Sequence, residues 1–291
     1  MDLAASALAG DRLATRLTEL FSEFVAVEAV ALGGSRANDQ SDAASDIDLY
    51  VFFSEELPSD LRQGVIERAG GAAKANLNLT HWGPADPYFD RGSGAEVDLM
   101  YFEARWMEQQ LERSLVAHQA SLGCSTCFWH TLRRSHVLFD RHGWLGSQKE
   151  RALASFPEPL RRNIIRLNHG VLRNVIPSYT SQIDKAVLRG DLVSVNHRLA
   201  ALLASYFDVI FALNHELHPG EKRMLSLAAQ RCRKLPTNMT VDVEAVLRSH
   251  GDGPRLAANL SKLLDRLDEL LASEGFDISN GMPESLPART S

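Results

Sequence analysis

From Leu3 to Phe24, the apolar positions Leu8, Leu13, Leu17, Leu20 and Phe21 recur, at steps of three and four from Leu13 on, the spacing of one face of an amphipathic helix. "FVAVEAVALGG" follows and reads as a β-strand ending at Gly33 and Gly34. "DIDLYVFF" is too short for a core helix and rich in β-favouring residues, so it reads as a second strand. Pro58 opens a helix running to Arg68, after which "ANLNLTHW" and "AEVDLMYFE" alternate in the manner of two further strands. From Arg105 the period changes. "RWMEQQLERSLVAHQ", "LRRNIIRLNHGVLRNVI", "LVSVNHRLAALLASYFDVIFALN", "EKRMLSLAAQRC" and "NLSKLLDRLDELLAS" carry helical periodicity between Pro, Gly and Asp breaks. "SHVLFDRHGWLG" reads as one more short strand and a turn.

The pattern predicts an α+β protein. A mixed sheet with helices occupies residues 1–145, a helical domain residues 146–275 and a polar, Pro-rich tail residues 276–291. The 291 residues suffice for two cores, and 45% hydrophobic with 23% charged residues is the composition of an ordinary globular chain. A net charge of -6 argues against general affinity for nucleic acid, whose phosphates demand basic surface. No run approaches the roughly 18 apolar residues of a membrane span, and the N-terminus lacks the basic start and unbroken apolar stretch of a secretory signal. Three cysteines do not suggest a disulfide framework. The expected compartment is the cytoplasm.

Chemistry enters with the acids. On a strand, side chains alternate between faces, so Asp46 and Asp48 share one face while Ile47 and Leu49 share the other. Two carboxylates at one spot repel unless a divalent cation neutralises them, and oxygen donors of this kind suit Mg²⁺ or Mn²⁺. Upstream, Gly33, Gly34 and Ser35 form a small-residue turn in which backbone N–H groups can approach an anion, and Arg36 adds charge. In "AEVDLMYF", Asp98 again stands between apolar neighbours; beside Asp46 and Asp48 it would complete a metal-binding and proton-accepting set.

The pattern Leu32, Gly33, Gly34, Ser35, a ten-residue gap, then Asp46, Ile47, Asp48, with Asp98 on a later strand, resembles the DNA polymerase beta-like nucleotidyltransferase superfamily. The resemblance covers residues 25–103. It implies a magnesium-dependent transfer of a nucleoside monophosphate from an NTP, with ATP the expected donor, to an acceptor hydroxyl, releasing pyrophosphate. Asp46, Asp48 and Asp98 would then be the catalytic, metal-holding residues, and Gly33, Gly34, Ser35 and Arg36 the nucleotide-binding ones. The helical half looks like that of bacterial enzymes that modify small molecules, among them the aminoglycoside and lincosamide resistance nucleotidyltransferases. On that likeness "HPGEKRMLSL" would bring Lys222 to the triphosphate, and the active site would lie between the domains. The implied acceptor is a small molecule bearing a hydroxyl, an antibiotic being one candidate. A template nucleic acid is not expected, and a homodimer is allowed. The alternatives are a protein-adenylylating enzyme of the toxin-antitoxin type and a nucleotide-binding regulator without turnover.

Other motifs have plainer readings. "CSTCFWH" places Cys124, Cys127 and His130 at metal-like spacing, but no second pair answers them, so buried thiols are expected. His215 and His218 in "NHELH" read as helix-end residues.

Overall fold

The computed structural model of the chain describes residues 3–34, 46–81 and 83–277; Ser35, Arg36 and the rest of 35–45, together with 278–291 of the anticipated tail, lie outside the described residues. Two compact units form, one from Met1–Glu112 with Phe128–Ala154, the other from Arg113–Cys127 with Ser155–Ser291.

The first unit is built on a six-stranded mixed sheet. Helix α1 (Leu3–Ser22) leads into β1 (Val27–Leu32) and β2 (Ile47–Phe53), followed by α2 (Ser59–Ala69), β3 (Ala72–Ala75), β4 (Ala85–Asp90) and β5 (Glu96–Glu103). Helices α3 (Ala104–Leu115) and α4 (Cys127–Arg134), strand β6 (His136–Asp140) and helix α5 (Trp144–Ala152) complete it. The strand order is β3-β4-β5-β2-β1-β6, with β2 and β5 parallel and the other pairs antiparallel. Alternation decides what each face does. Ile47, Leu49 and Val51 of β2 and Val97, Leu99 and Tyr101 of β5 join Leu17, Leu20 and Phe21 of α1 and Val65 and Ile66 of α2 in one apolar core. The residues between them face the other way, where Phe52 meets Trp144 of α5 and Phe102 stacks on Trp106 of α3. The Arg141 guanidinium ties β6 to the start of the sheet by donating to the carbonyls of Ser22, Phe24 and Val27 at 2.6–2.9 Å.

The second unit is helical. It contains α6 (Glu158–His169), continued by a π-helical turn (Gly170–Asn174), then α7 (Tyr179–Leu188), α8 (Leu192–Leu213), α9 (Met224–Arg231), α10 (Met239–Arg248) and α11 (Gly253–Ser273). Helix α8 is its axis, with Val195, Leu199, Leu202, Tyr206, Val209 and Ile210 buried. The end of α6 is fastened to α11: His169 meets Asp268 at 2.6 Å and Arg173 pairs with Asp265 at 2.6 Å and with Asp268. No described helix is long and apolar enough to cross a membrane.

Several expectations are corrected. Among the described residues, 76–81 of "ANLNLTHW" are not a strand: after Ala75, the end of β3, the chain turns through Asn78 at φ +59° and makes isolated bridges at Leu79 and His81. Its alternating leucines imitate a strand, whereas β4 follows instead in "ADPYFD", where Pro87 and two acids hide it. The strand and turn expected in "SHVLFDRHGWLG" do form, as β6 and the residues after it, with α4 before them and α5 following from Trp144. Cys124 and Cys127 are not buried thiols. Cys124 is exposed, Cys127 half-buried, and the two are joined in a disulfide that their separation of three residues permits, with Cα atoms 5.7 Å apart. Only Cys232 is a buried free thiol. His218 is not a helix-end residue but sits in the loop beyond α8, 2% exposed.

Candidate active site

The β2–β5 pairing is parallel and in register over seven positions, and Asp48 is the partner of Asp98. Side chains at paired positions of parallel strands leave the sheet on the same side, with backbones roughly 4.8 Å apart. Two half-buried carboxylates therefore share one face, while their neighbours Ile47, Leu49, Val97 and Leu99, all fully buried, hold both strands against the core. Asp46 stands one residue ahead of β2 and is exposed.

The end of β1 closes on this pair. Gly33 donates its N–H to the Asp48 carbonyl at 2.8 Å, and Gly34 turns at φ +61°. A Cβ at Gly34 would overlap the Asp48 carboxylate, and one at Gly33 the Tyr50 ring. Both glycines are thus required by close approach, and at Gly34 by backbone conformation as well. Tyr50, two residues from Asp48 on the same face, has its phenol pushed up to about 12, chiefly by burial and further by the Asp48 charge, against a hydrogen bond from the Gly34 N–H. It is a neutral hydroxyl at physiological pH.

The face continues into a cavity of about 800 Å³, whose walls include Tyr50, Met100, Phe102, Trp106, Phe128 and Thr131. Phe102 and Trp106 lie nearly parallel, 8° apart with centroids at 6.0 Å, and Phe128 meets Trp106 edge-on at 4.8 Å. At its far rim is Arg62, 8% exposed, paired with Asp86 at 3.4 Å and set 4.6 Å over the Tyr101 ring. Sequence reasoning passed over this cavity, although the signal was present: the same alternation that pairs Asp48 with Asp98 carries Tyr50, Met100 and Phe102 onto their face.

Of the anticipated site residues, Gly33, Gly34, Asp48 and Asp98 come together around the end of β1, with Asp46 at the head of β2. Ser35 and Arg36 lie outside the described residues. Lys222 belongs to the second unit, exposed one residue before the Arg223 that precedes α9. As a donor set for a divalent cation, the paired carboxylates fit: they are hard oxygen ligands on one face, next to a bend too tight for any side chain.

Residues 11–117 match the nucleotidyltransferase domain family. No curated protein matches the chain. Among solved structures, a nucleotidyltransferase-like protein from Exiguobacterium sibiricum is 14% identical, with 87% of this chain and 71% of that one covered and a TM-score of 0.43. An aminoglycoside 6-adenyltransferase from Bacillus subtilis is 10% identical, with 89% of each chain covered and a TM-score of 0.29. The family match runs from α1 into the segment after α3 and so takes in the β1 bend and all three acids, Asp46, Asp48 and Asp98. Over residues 11–117, then, the chain is similar to the nucleotidyltransferase domain family.

Proposed function

We propose that the chain transfers a nucleoside monophosphate from an NTP, ATP by expectation, to a hydroxyl of a small molecule, and that Asp46, Asp48 and Asp98 are the residues on which this depends. The observation carrying the reading is the Asp48–Asp98 register, which sets two carboxylates side by side on a rigid parallel pair. Mg²⁺ held by the three acids would neutralise the triphosphate and polarise the α-phosphorus.

The chain's own groups do the rest. The Gly33–Gly34 bend leaves room for phosphate oxygens to reach backbone N–H groups, and the sequence resemblance adds Ser35 and Arg36 as nucleotide-binding residues. Asp98 would accept the proton of the attacking hydroxyl as the α-phosphorus is approached in line. The Tyr50 phenol stays protonated and can donate to an oxygen beside the acids. The aromatic cavity offers flat apolar walls to the ring system of the base or of the acceptor. An antibiotic acceptor is one member of the small-molecule class so described.

The test is release of pyrophosphate in the presence of Mg²⁺, each of the four NTPs and a panel of hydroxylated acceptors. Turnover with one NTP and an acceptor supports the reading. Tight nucleotide binding without pyrophosphate release from any combination would replace it with a nucleotide-binding regulator.

A further inference from the structure

In the second unit, outside the nucleotide site, the loop 121–126 with Cys124 and the first residue of α4, Cys127, bring the two linked cysteines to a histidine far along the chain. Cys127 Sγ lies 3.4 Å from His218 Nδ1, and the ligand atoms of Cys124, Cys127 and His218 all fall within 4.8 Å of one another. We propose that Cys124, Cys127 and His218 form a thiolate–imidazole site for a soft divalent cation, Zn²⁺ by preference, loaded when the Cys124–Cys127 disulfide is reduced.

Geometry supports this first. With Zn–S near 2.3 Å and Zn–N near 2.05 Å, tetrahedral ligation places sulfur and nitrogen about 3.5 Å apart. The observed 3.4 Å is close to the length of that edge. The imidazole is also in the tautomer that a metal requires. Nδ1 accepts the Gly220 N–H at 3.2 Å and so carries no proton, and a metal would take over the lone pair from that long bond. Nε2, buried, has no hydrogen-bond partner among the described residues.

The surroundings are built to hold these three groups in place. The His218 N–H donates to Thr126 Oγ at 2.8 Å, joining the histidine loop to the cysteine loop, and Phe211 packs edge-on to the imidazole at 5.3 Å. Between the cysteines, Ser125 donates both its N–H and its hydroxyl to buried Asp208, at 3.1 and 2.7 Å. Asn168 bridges the same carboxylate and the Gly123 N–H, at 3.0 and 2.8 Å. Gly123, at φ +75°, lies so close to Ala204 of α8 that a Cβ would come within 2.8 Å of the alanine methyl. Such outer hydrogen bonding is what orients the ligands of a metal centre. Cys124 is exposed, which gives an ion a way in. Three protein ligands leave one position for water or a further donor.

The chemistry balances without any group from the nucleotide site. A dithiol reductant breaks the Cys124–Cys127 bond, is itself oxidised to a disulfide, and leaves two thiols; the entering cation then releases their two protons to solvent.

Cobalt(II) titration of the full-length chain tests the site. The reduced protein is expected to take up one equivalent with thiolate-to-cobalt charge-transfer absorption and tetrahedral d–d bands, which Zn²⁺ then displaces. The oxidised protein should show neither. Cys124→Ser should abolish the charge-transfer band, and His218→Ala should weaken cobalt binding at least about tenfold, a loss of some 1.4 kcal/mol. Because His218→Ala removes a buried ring, a second measurement uses the unmodified chain: Zn²⁺ should protect two thiols from alkylation after reduction. Absence of a thiolate–cobalt band in the reduced chain, affinity undiminished by His218→Ala, or no protection by Zn²⁺ would each overturn the proposal.

Discussion

Asp48 and Asp98 occupy partner positions on two parallel strands, each clasped between fully buried apolar neighbours. Their meeting is a property of the sheet and not of a loop. Replacing either with Asn removes a charge from a face that carries two, without changing side-chain volume. Turnover should fall by at least about 10²-fold, while the melting temperature holds or rises as the repulsion is relieved. Pyrophosphate release and a thermal melt on the same preparations check this; an active Asp48→Asn enzyme would exclude the metal-holding role.

Gly34 makes a second, graded prediction. Its φ of +61° and its contact with the Asp48 carboxylate both oppose a side chain. Gly34→Ala should cost about 1–3 kcal/mol in stability from the backbone alone. Displacing the Asp48 carboxylate should lower activity by about 10²-fold, more than the loss of stability explains. Chemical denaturation alongside steady-state kinetics separates the two effects.

The aromatic cavity predicts a specificity effect. Met100 lines it from β5, on the face of the acids and one alternation beyond Asp98. Met100→Trp fills space without touching a carboxylate, so KM for one substrate should rise about tenfold or more, with the Mg²⁺ dependence unchanged. Whether KM for the NTP or for the acceptor moves identifies the ring that the cavity receives.

Stability of the first unit should hinge on Arg62 and Asp86, 8% and 1% exposed and 3.4 Å apart. Asp86 also accepts the Asn78 N–H at 2.7 Å, and Arg62 donates to the Asn78 side chain. Asp86→Ala would strand a buried guanidinium, at about 3–5 kcal/mol. A lowered urea midpoint is the expected reading.

What the sequence reveals of all this is uneven, for physical reasons. Asp46, Asp48 and Asp98 are legible because alternation with buried aliphatics assigns faces without knowledge of the fold, and the β1 bend because adjacent glycines have few other uses. The pairing of β2 with β5 is not legible, since it depends on contacts across fifty residues. Strand β4 is concealed because its residues answer to tertiary partners: buried Asp86 to Arg62 and Asn78, and Asp90, 6% exposed, to the N–H and hydroxyl of Ser93 at 2.6 Å. His218 was misjudged because its neighbours are supplied by a loop 92 residues earlier.

Asp208 carries the pH prediction. Burial pushes its carboxyl up to about 7, against the hydrogen bonds from Ser125 and Asn168 that act the other way. Its ordinary value is 3.8, so between those values the folded chain holds a proton that the unfolded chain has released. The stabilisation is full below pH 3.8 and is lost as pH rises toward 7, a change on the order of a few kcal/mol. Thermal melts of the native chain and Asp208→Asn should therefore converge or cross in favour of the variant between pH 5 and 8, and parallel curves would remove the assignment.

The β2–β5 ladder has one more consequence. A slip of one residue between these strands would swing one aspartate into the aliphatic layer and bring an isoleucine or leucine out in its place. Such a slip is prohibitively unfavourable, so the carboxylate geometry cannot drift by degrees. Heat or denaturant should extinguish turnover and the folded signal of the first unit in one and the same transition, with no partly competent species between them.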